Sequence, residues 1–171
     1  ASAIAGSETD SVITLGIRNA SSSSTDLTSL TLTDETPSTW DYQDFEGAQV
    51  VAFPDGANSA RLLVKTAAGW SAAGAATTAP GALALPAGVS AADVIGVQVV
   101  FTDAGGAVLP YQASGGGSIT VDVQLRDTVR STGADTTSNT NPVNISNVAT
   151  PSGADAIGTG TGTNVSAPFA V

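Results

Sequence analysis

Two segments in the second half of the chain alternate strictly between apolar and polar residues, and this alternation constrains the fold more than any other feature. In residues 94–102, one face carries the apolar set Ile95, Val97, Val99 and Phe101. In residues 118–126, one face carries the apolar set Ile119, Val121, Val123 and Leu125. A period of two residues places every second side chain on the same face of a β-strand. We therefore predict two strands, each with one buried and one solvated face.

Weaker alternating runs occur through the rest of the chain and are bounded by turn residues. These further strand candidates are residues 11–18, 27–33, 60–66 and 143–149, with a hairpin formed by residues 40–45 and 48–53 across Glu46-Gly47. No segment has an apolar stripe at helical spacing, and Gly69 and Gly74 interrupt the one Ala-rich stretch. The pattern predicts an all-β protein, an antiparallel β-sandwich of about eight or nine strands joined by long loops of small residues.

The composition of the chain changes after Thr150, and this suggests a boundary. Residues 158–163 alternate Gly and Thr, which is typical of a flexible or extended linker. We predict a leader or linker at 1–10 and a sandwich domain at 11–150. We predict that 151–171 forms a Gly/Thr-rich linker followed by a terminal strand or by the start of a further module.

The charge balance limits the partners and the chemistry of the chain. Fifteen acidic residues against five basic ones give a net charge of −10, and the chain has no His and no Cys. Such a surface repels nucleic-acid phosphates, and no apolar stretch approaches the length that spans a bilayer. The missing His and Cys exclude the usual nucleophile–base pairs. We predict a non-enzymatic protein that binds no nucleic acid and does not insert into a membrane.

A group of acidic residues near the predicted hairpin is the best candidate for a metal site. It comprises Asp34, Glu35, Asp41, Asp44 and Glu46. Carboxylate oxygens are the ligands that Ca²⁺ prefers, so a structural calcium ion is one hypothesis, and no other cofactor is expected. Paired acids also occur in glycosidases, whereas solvated turn and edge charges explain the same residues more simply.

Trp70 follows Ala67-Ala68-Gly69 in a predicted loop and is the best candidate for an exposed aromatic residue. Exposed indole rings provide stacking platforms for carbohydrates. The alternative is that Trp70 closes the end of the sandwich.

Several segments resemble the immunoglobulin-like repeats of large bacterial cell-surface and adhesin proteins. The resemblance rests on residues 13–21, 30–34 and 143–150, while residues 121–128 look like an actinobacterial variant. It spans roughly residues 11–150. It implies an immunoglobulin-like sandwich on the outside of a bacterial cell, in a stalk or adhesive repeat whose partners are neighbouring copies or modules, carbohydrate or another surface protein.

Sandwich domains of Gram-positive adhesins often contain an internal isopeptide bond, and the chain offers residues for one. Lys65 is the only lysine and lies on a predicted strand, and Asn144 and Asn147 lie on the predicted closing strand. The alternative is that Lys65 is a solvated charge at a sheet edge.

Three functions stay open at this point. The first is a structural or adhesive module of an extracellular bacterial surface protein. The second is the subunit of a polymerising surface fibre, joined by donation of a terminal strand to a neighbour. The third is a calcium-dependent or carbohydrate-binding adhesin domain.

Overall fold

The computed structural model describes residues 11–19, 24–111, 115–136, 144–162 and 165–170, so the predicted leader lies outside it. The strands are β1 (Ser11–Ile17), β2 (Ser29–Asp34), β3 (Gln43–Ala52), β4 (Ser59–Thr66), β5 (Gly69–Trp70), β6 (Gly81–Ala82), β7 (Gly96–Thr102), β8 (Gly117–Leu125), β9 (Asn144–Ala154), β10 (Thr159–Thr161) and β11 (Val165–Ala170). A short helix, α1 (Pro37–Tyr42), joins β2 to β3, and a single 3-10 turn covers Ala91–Asp93.

The strands form two sheets. One has the order β1-β8-β3-β6, and the other has the order β10-β9-β2-β7-β4-β5, with β11 also paired to β9. Every pairing between these strands is antiparallel. The predicted all-β sandwich is confirmed, with more strands than the sequence indicated because β5, β6 and β10 have only two or three residues each.

The core lies between the sheets, and the two strongly alternating segments form its centre. The buried residues of β7 and β8 are those predicted: Val97, Val99, Phe101, Ile119, Val121, Val123 and Leu125. Ile95 precedes β7 and packs against the core while partly exposed. Burial of each such side chain contributes about 1.5–3 kcal/mol. The alternation therefore identified the strands that hold the two sheets together.

The predicted hairpin across Glu46-Gly47 is wrong. Its first half contains the end of α1, and the remainder forms the single strand β3. Pro37 occupies the first helical turn, where its fixed φ is favourable and its missing N–H costs nothing. The register shifts between Phe45 and Gly47, so Glu46 is the extra residue of a β-bulge rather than part of a turn.

The C-terminal part of the described chain adds to the larger sheet. Strand β9 continues through residue 150, where the composition suggested the end of the sandwich, and β10 returns along its edge. Part of the predicted Gly/Thr-rich linker therefore lies in a strand, and a terminal strand, one of the two predicted alternatives, follows as β11.

Antiparallel pairing defines two ends of the sandwich. The helix end carries Ser11, Asp34, α1 and Ala170. The cleft end carries Ile17, Gly117 and the turn between β9 and β10. Since β1 starts at the helix end and β11 finishes there, the described chain enters and leaves the sandwich on the same side.

Candidate functional site

A buried polar cluster lies at the helix end, between β2, α1 and β9. Asp34 and Thr39 are fully buried, and Asn147 is 2 % exposed. Asn147 Nδ2 donates a hydrogen bond to Asp34 Oδ2 at 2.6 Å, and Thr39 Oγ1 donates to Asn147 Oδ1 at 2.9 Å. One residue from each of three elements thus takes part in a single hydrogen-bonded chain.

Burial raises the pKa of the Asp34 carboxyl above its ordinary value. Hydrogen bonds from Asn147 and from the backbone N–H of Thr36 lower the pKa and offset only part of this effect. The Trp40 indole acts in the same direction, although its Nε1 makes no hydrogen bond of normal geometry. The ionised carboxylate is therefore held at a cost, in a place that solvent does not reach.

Side chains around the start of α1 complete an otherwise open edge of β9. Strand β2 pairs only with residues 149–154 of β9, which leaves the first half of β9 without a strand neighbour on that side. There the Thr36 hydroxyl accepts a hydrogen bond from Val148 N and donates one to Val148 O, both at 3.0 Å. Ser38 Oγ donates to Ser146 O at 3.4 Å. Two hydroxyl groups thus replace part of a strand.

Arg130 ties the other side of α1 to the neighbouring segments. Its guanidinium donates hydrogen bonds to Trp40 O at 3.1 Å, Ala92 O at 3.0 Å and Asp44 Oδ1 at 2.9 Å. Asp44 also forms an ion pair with Arg126. Arg130 was not a candidate in the sequence analysis, because its partners are mostly backbone carbonyls from distant segments.

The structure does not bring the five proposed calcium ligands together. Asp34 points into the core, and Glu35 forms an exposed ion pair with Lys65 at 2.6 Å. Asp41 accepts a hydrogen bond from Ser131 Oγ at 2.7 Å, Asp44 binds two arginines, and Glu46 is exposed on the bulge of β3. In the part of the chain that the structure describes, no group of three or more acidic residues is placed to hold a metal ion.

The residues proposed for an isopeptide bond also lie apart. Lys65 is on β4 and faces outward beside Glu35, whereas Asn147 is on β9 and faces the core. Strands β7 and β2 separate β4 from β9, a distance of about 14 Å at the usual spacing of strands. Asn144, at the start of β9, pairs with Ala170.

Trp70 lies in the short edge strand β5 rather than in a loop. It pairs with Lys65 of the neighbouring strand β4 and is 38 % exposed. The ring is therefore accessible, on the edge of the larger sheet.

A cavity at the cleft end of the sandwich was not predicted. It is an open cleft of about 1080 Å³ between the end of β1 and the β9–β10 hairpin, and its apolar lining includes Leu27, Leu30 and Pro151. Seven glycines also line it: Gly16, Gly116, Gly117, Gly153, Gly158, Gly160 and Gly162. The Gly-Thr run was the signal available in the sequence, but it was interpreted as a linker.

Comparison with protein-family models, curated proteins and solved structures found no match to this chain. No helix among the described residues is long and apolar enough to cross a membrane.

Proposed function

We propose that this chain is a structural or adhesive module of an extracellular bacterial surface protein and that it catalyses no reaction. The observation that carries the proposal is the use of the polar residues at the helix end. Asp34, Asn147 and Arg130 bind other parts of the same fold, and together they join α1 to β2, β3 and β9. The polar side chains at this end thus make contacts within the fold.

The environment of Asp34 supports a structural role for this acid, whose pKa is raised. A general acid or base must lie within hydrogen-bond reach of the substrate proton, directly or through one water. Asp34 is fully buried, and its two oxygens accept hydrogen bonds from Asn147 and from Thr36 N. Its raised pKa therefore has an explanation in the packing of α1.

Surface location is tested with antibodies raised against the purified chain. We expect these antibodies to label intact cells of the organism that encodes the protein, and protease treatment of intact cells to remove the label. Labelling that requires permeabilised cells would contradict the proposal. An antibody against a cytoplasmic protein provides the control for cell integrity.

A second candidate function is binding of a carbohydrate or of another surface protein in the cleft. The observation that favours it is the position of the cleft, at the opposite end from Ser11 and Ala170. If neighbouring modules attach near those two residues, the cleft faces away from them.

Binding in the cleft is tested with Gly160→Phe on an array of host and bacterial glycans. A Cβ atom at Gly160 would meet no other atom within 4 Å, so the ring can enter the cleft without displacing the fold. We expect any glycan bound by the wild type to lose about tenfold or more in affinity, a change of about 1.4 kcal/mol. Val51→Phe, at an exposed position on β3, is the matched control. Equal binding by both variants would exclude the cleft.

A further inference from the structure

The turn between β9 and β10 contains an apolar residue that the single chain leaves in solvent. Ile157 is 96 % exposed, more than any other large apolar residue for which exposure is described. Tight hairpin turns favour Asn, Asp and Gly, whereas β-branched residues favour extended strands. The residue at the tip of this hairpin is therefore better suited to a strand than to a turn.

In the described residues, the strands after this turn pair with one strand, β9. Within the described ranges, β10 and β11 pair with β9 and with no other strand. All three residues of β10 are exposed. Backbone hydrogen bonds to β9 thus attach this segment, and such bonds do not distinguish one copy of the chain from another.

The register of the hairpin is symmetric about its tip. Thr159 pairs with Ala154 and Thr161 pairs with Ser152, so the pairing is centred between Ala156 and Ile157. If the turn opened, β10 and β11 of each copy could pair with the same partners on β9 of the other copy. Residues 155–158 would then cross near a two-fold axis without forming a regular ladder, because Ala154 and Thr159 are five positions apart and would face opposite sides of a continuous strand.

We propose that two copies of this chain exchange residues 159–170 and form a closed, two-fold symmetric dimer. Each β10–β11 segment then pairs with β9 of the other copy, and Ile157 lies in the opened hinge near the axis. Exchange keeps the pairing already present in the single chain, so the two forms differ mainly at the turn. The proposal rests on the proposed surface function and gives it a partner: the dimer would link two surface proteins side by side.

Asp155 opposes the exchange. Its Oδ1 accepts hydrogen bonds from Ile157 N at 2.7 Å and from Gly158 N at 2.8 Å, and its own N–H donates to Gly158 O at 2.9 Å. These contacts close the turn. Short hinge loops whose closed form is disfavoured promote exchange. The balance between the two forms therefore depends on Asp155 and Ile157.

Disulfide trapping tests the exchange directly, because the chain has no Cys of its own. Ser152→Cys and Thr161→Cys are made in separate copies with different tags, unfolded together in urea, refolded at high concentration and oxidised. Hydrogen-bonded and non-hydrogen-bonded pairs alternate along an antiparallel ladder. The bonds from Asp155 N to Gly158 O and from Gly162 N to Pro151 O make 155/158 and 151/162 hydrogen-bonded pairs. Ser152 and Thr161 are therefore a non-hydrogen-bonded pair, whose Cα atoms lie close enough for a disulfide. We expect a disulfide between the two tagged copies. Thr14→Cys, exposed on the other sheet, replaces Thr161→Cys in the control for random collision.

Turn variants test the same idea without cysteine. We expect Asp155→Ala to shift the monomer–dimer equilibrium toward the dimer in light scattering after size-exclusion chromatography. We expect Ala156→Asn with Ile157→Gly, a sequence suited to a two-residue turn, to abolish the dimer. Monomeric mass for the wild type and Asp155→Ala, with no more heterodisulfide than in the Thr14→Cys control, would overturn the exchange. That result would not contradict the proposed surface function, because cell labelling tests that function independently.

Discussion

At the scale of single residues, the buried carboxyl of Asp34 carries an electrostatic cost. Its carboxyl is fully buried and its pKa is raised, mainly by burial. The folded chain therefore binds a proton at Asp34 more readily than the unfolded chain does. It follows that this residue destabilises the fold at neutral pH and that the cost decreases as the pH falls toward the raised pKa.

We predict that the difference in free energy of unfolding between wild type and Asp34→Asn depends on pH. Between about pH 7 and about pH 4, the wild type should gain stability relative to the variant, because only the wild type takes up the extra proton on folding. Urea denaturation of both proteins at the two pH values measures this. Other carboxyl groups titrate in both proteins, so their effects cancel. A constant difference would contradict the raised pKa.

We also predict that Asn147→Ala destabilises the chain by about 2–4 kcal/mol, because it leaves the Asp34 carboxylate and the Thr39 hydroxyl buried without their partner. Asn58→Ala is the matched control, since Asn58 also binds a carboxylate, that of Asp103, but at an exposed position. Denaturant titration of both variants should give the larger loss for Asn147→Ala. Equal losses would show that burial of the cluster is not what matters.

At the scale of elements, helix α1 protects half of an edge strand. Six residues of helix are too few to be stable alone, so packing and hydrogen bonds to β9 must hold α1 in place. Thr36 is central because its hydroxyl satisfies both backbone groups of Val148. Exposed strand edges can pair with other chains, and here the side chains of Thr36 and Ser38 cover part of the edge of β9.

We predict that Thr36→Val exposes this edge. The Val148 N–H loses its acceptor, so the chain should lose about 1–3 kcal/mol of stability, and amide exchange at Val148 should become faster than in the wild type. Thr14→Val, an equal change at an exposed position of β1, should alter neither. Unchanged exchange at Val148 in Thr36→Val would contradict the role of the hydroxyl.

The sequence predicted the strands with long alternation and missed the elements whose conformation depends on distant partners. Strands β7 and β8 could be predicted because every inward residue packs in the same apolar core, which makes the alternation regular. Helix α1 has too few residues to display a period, although Pro37 was a usable signal for its start. Among the acids, Asp34 continues the inward face of Leu30 and Leu32, a local signal that separates it from exposed Glu35. The partner Asn147 lies on β9, far along the chain, so the hydrogen bond that holds Asp34 had no local signal. Asn147 was a candidate in the sequence, but for an isopeptide bond and not for the hydrogen bond to Asp34.

At the scale of the whole molecule, the turn at Asp155 connects pH to assembly. The pKa of Asp155 is lowered by the hydrogen bonds from Ile157 N and Gly158 N. These bonds stabilise the closed turn above the ordinary pKa of the carboxyl, and the stabilisation is lost as the pH falls through the lowered pKa. The exchanged form lacks the closed turn and should lose nothing.

We therefore predict that acid shifts the equilibrium toward the dimer in the wild type. Light scattering after equilibration at neutral pH and at a pH below the ordinary pKa of Asp measures the shift. In Asp155→Asn, which keeps an oxygen acceptor but does not ionise, the equilibrium should respond less to acid. An identical response in both proteins would assign the pH effect to other groups.

The two ends of the described chain lie together at the helix end, and this has a mechanical consequence. Force applied between Ser11 and Ala170 would act across the base of the sandwich instead of along its strands. Hydrogen bonds between β11 and β9 and between β1 and β8 would then break one after another, beginning at Ala170 and at Ser11, and not all at once. A module anchored in this way would yield at low tension from these two edge strands while its central strands stay folded.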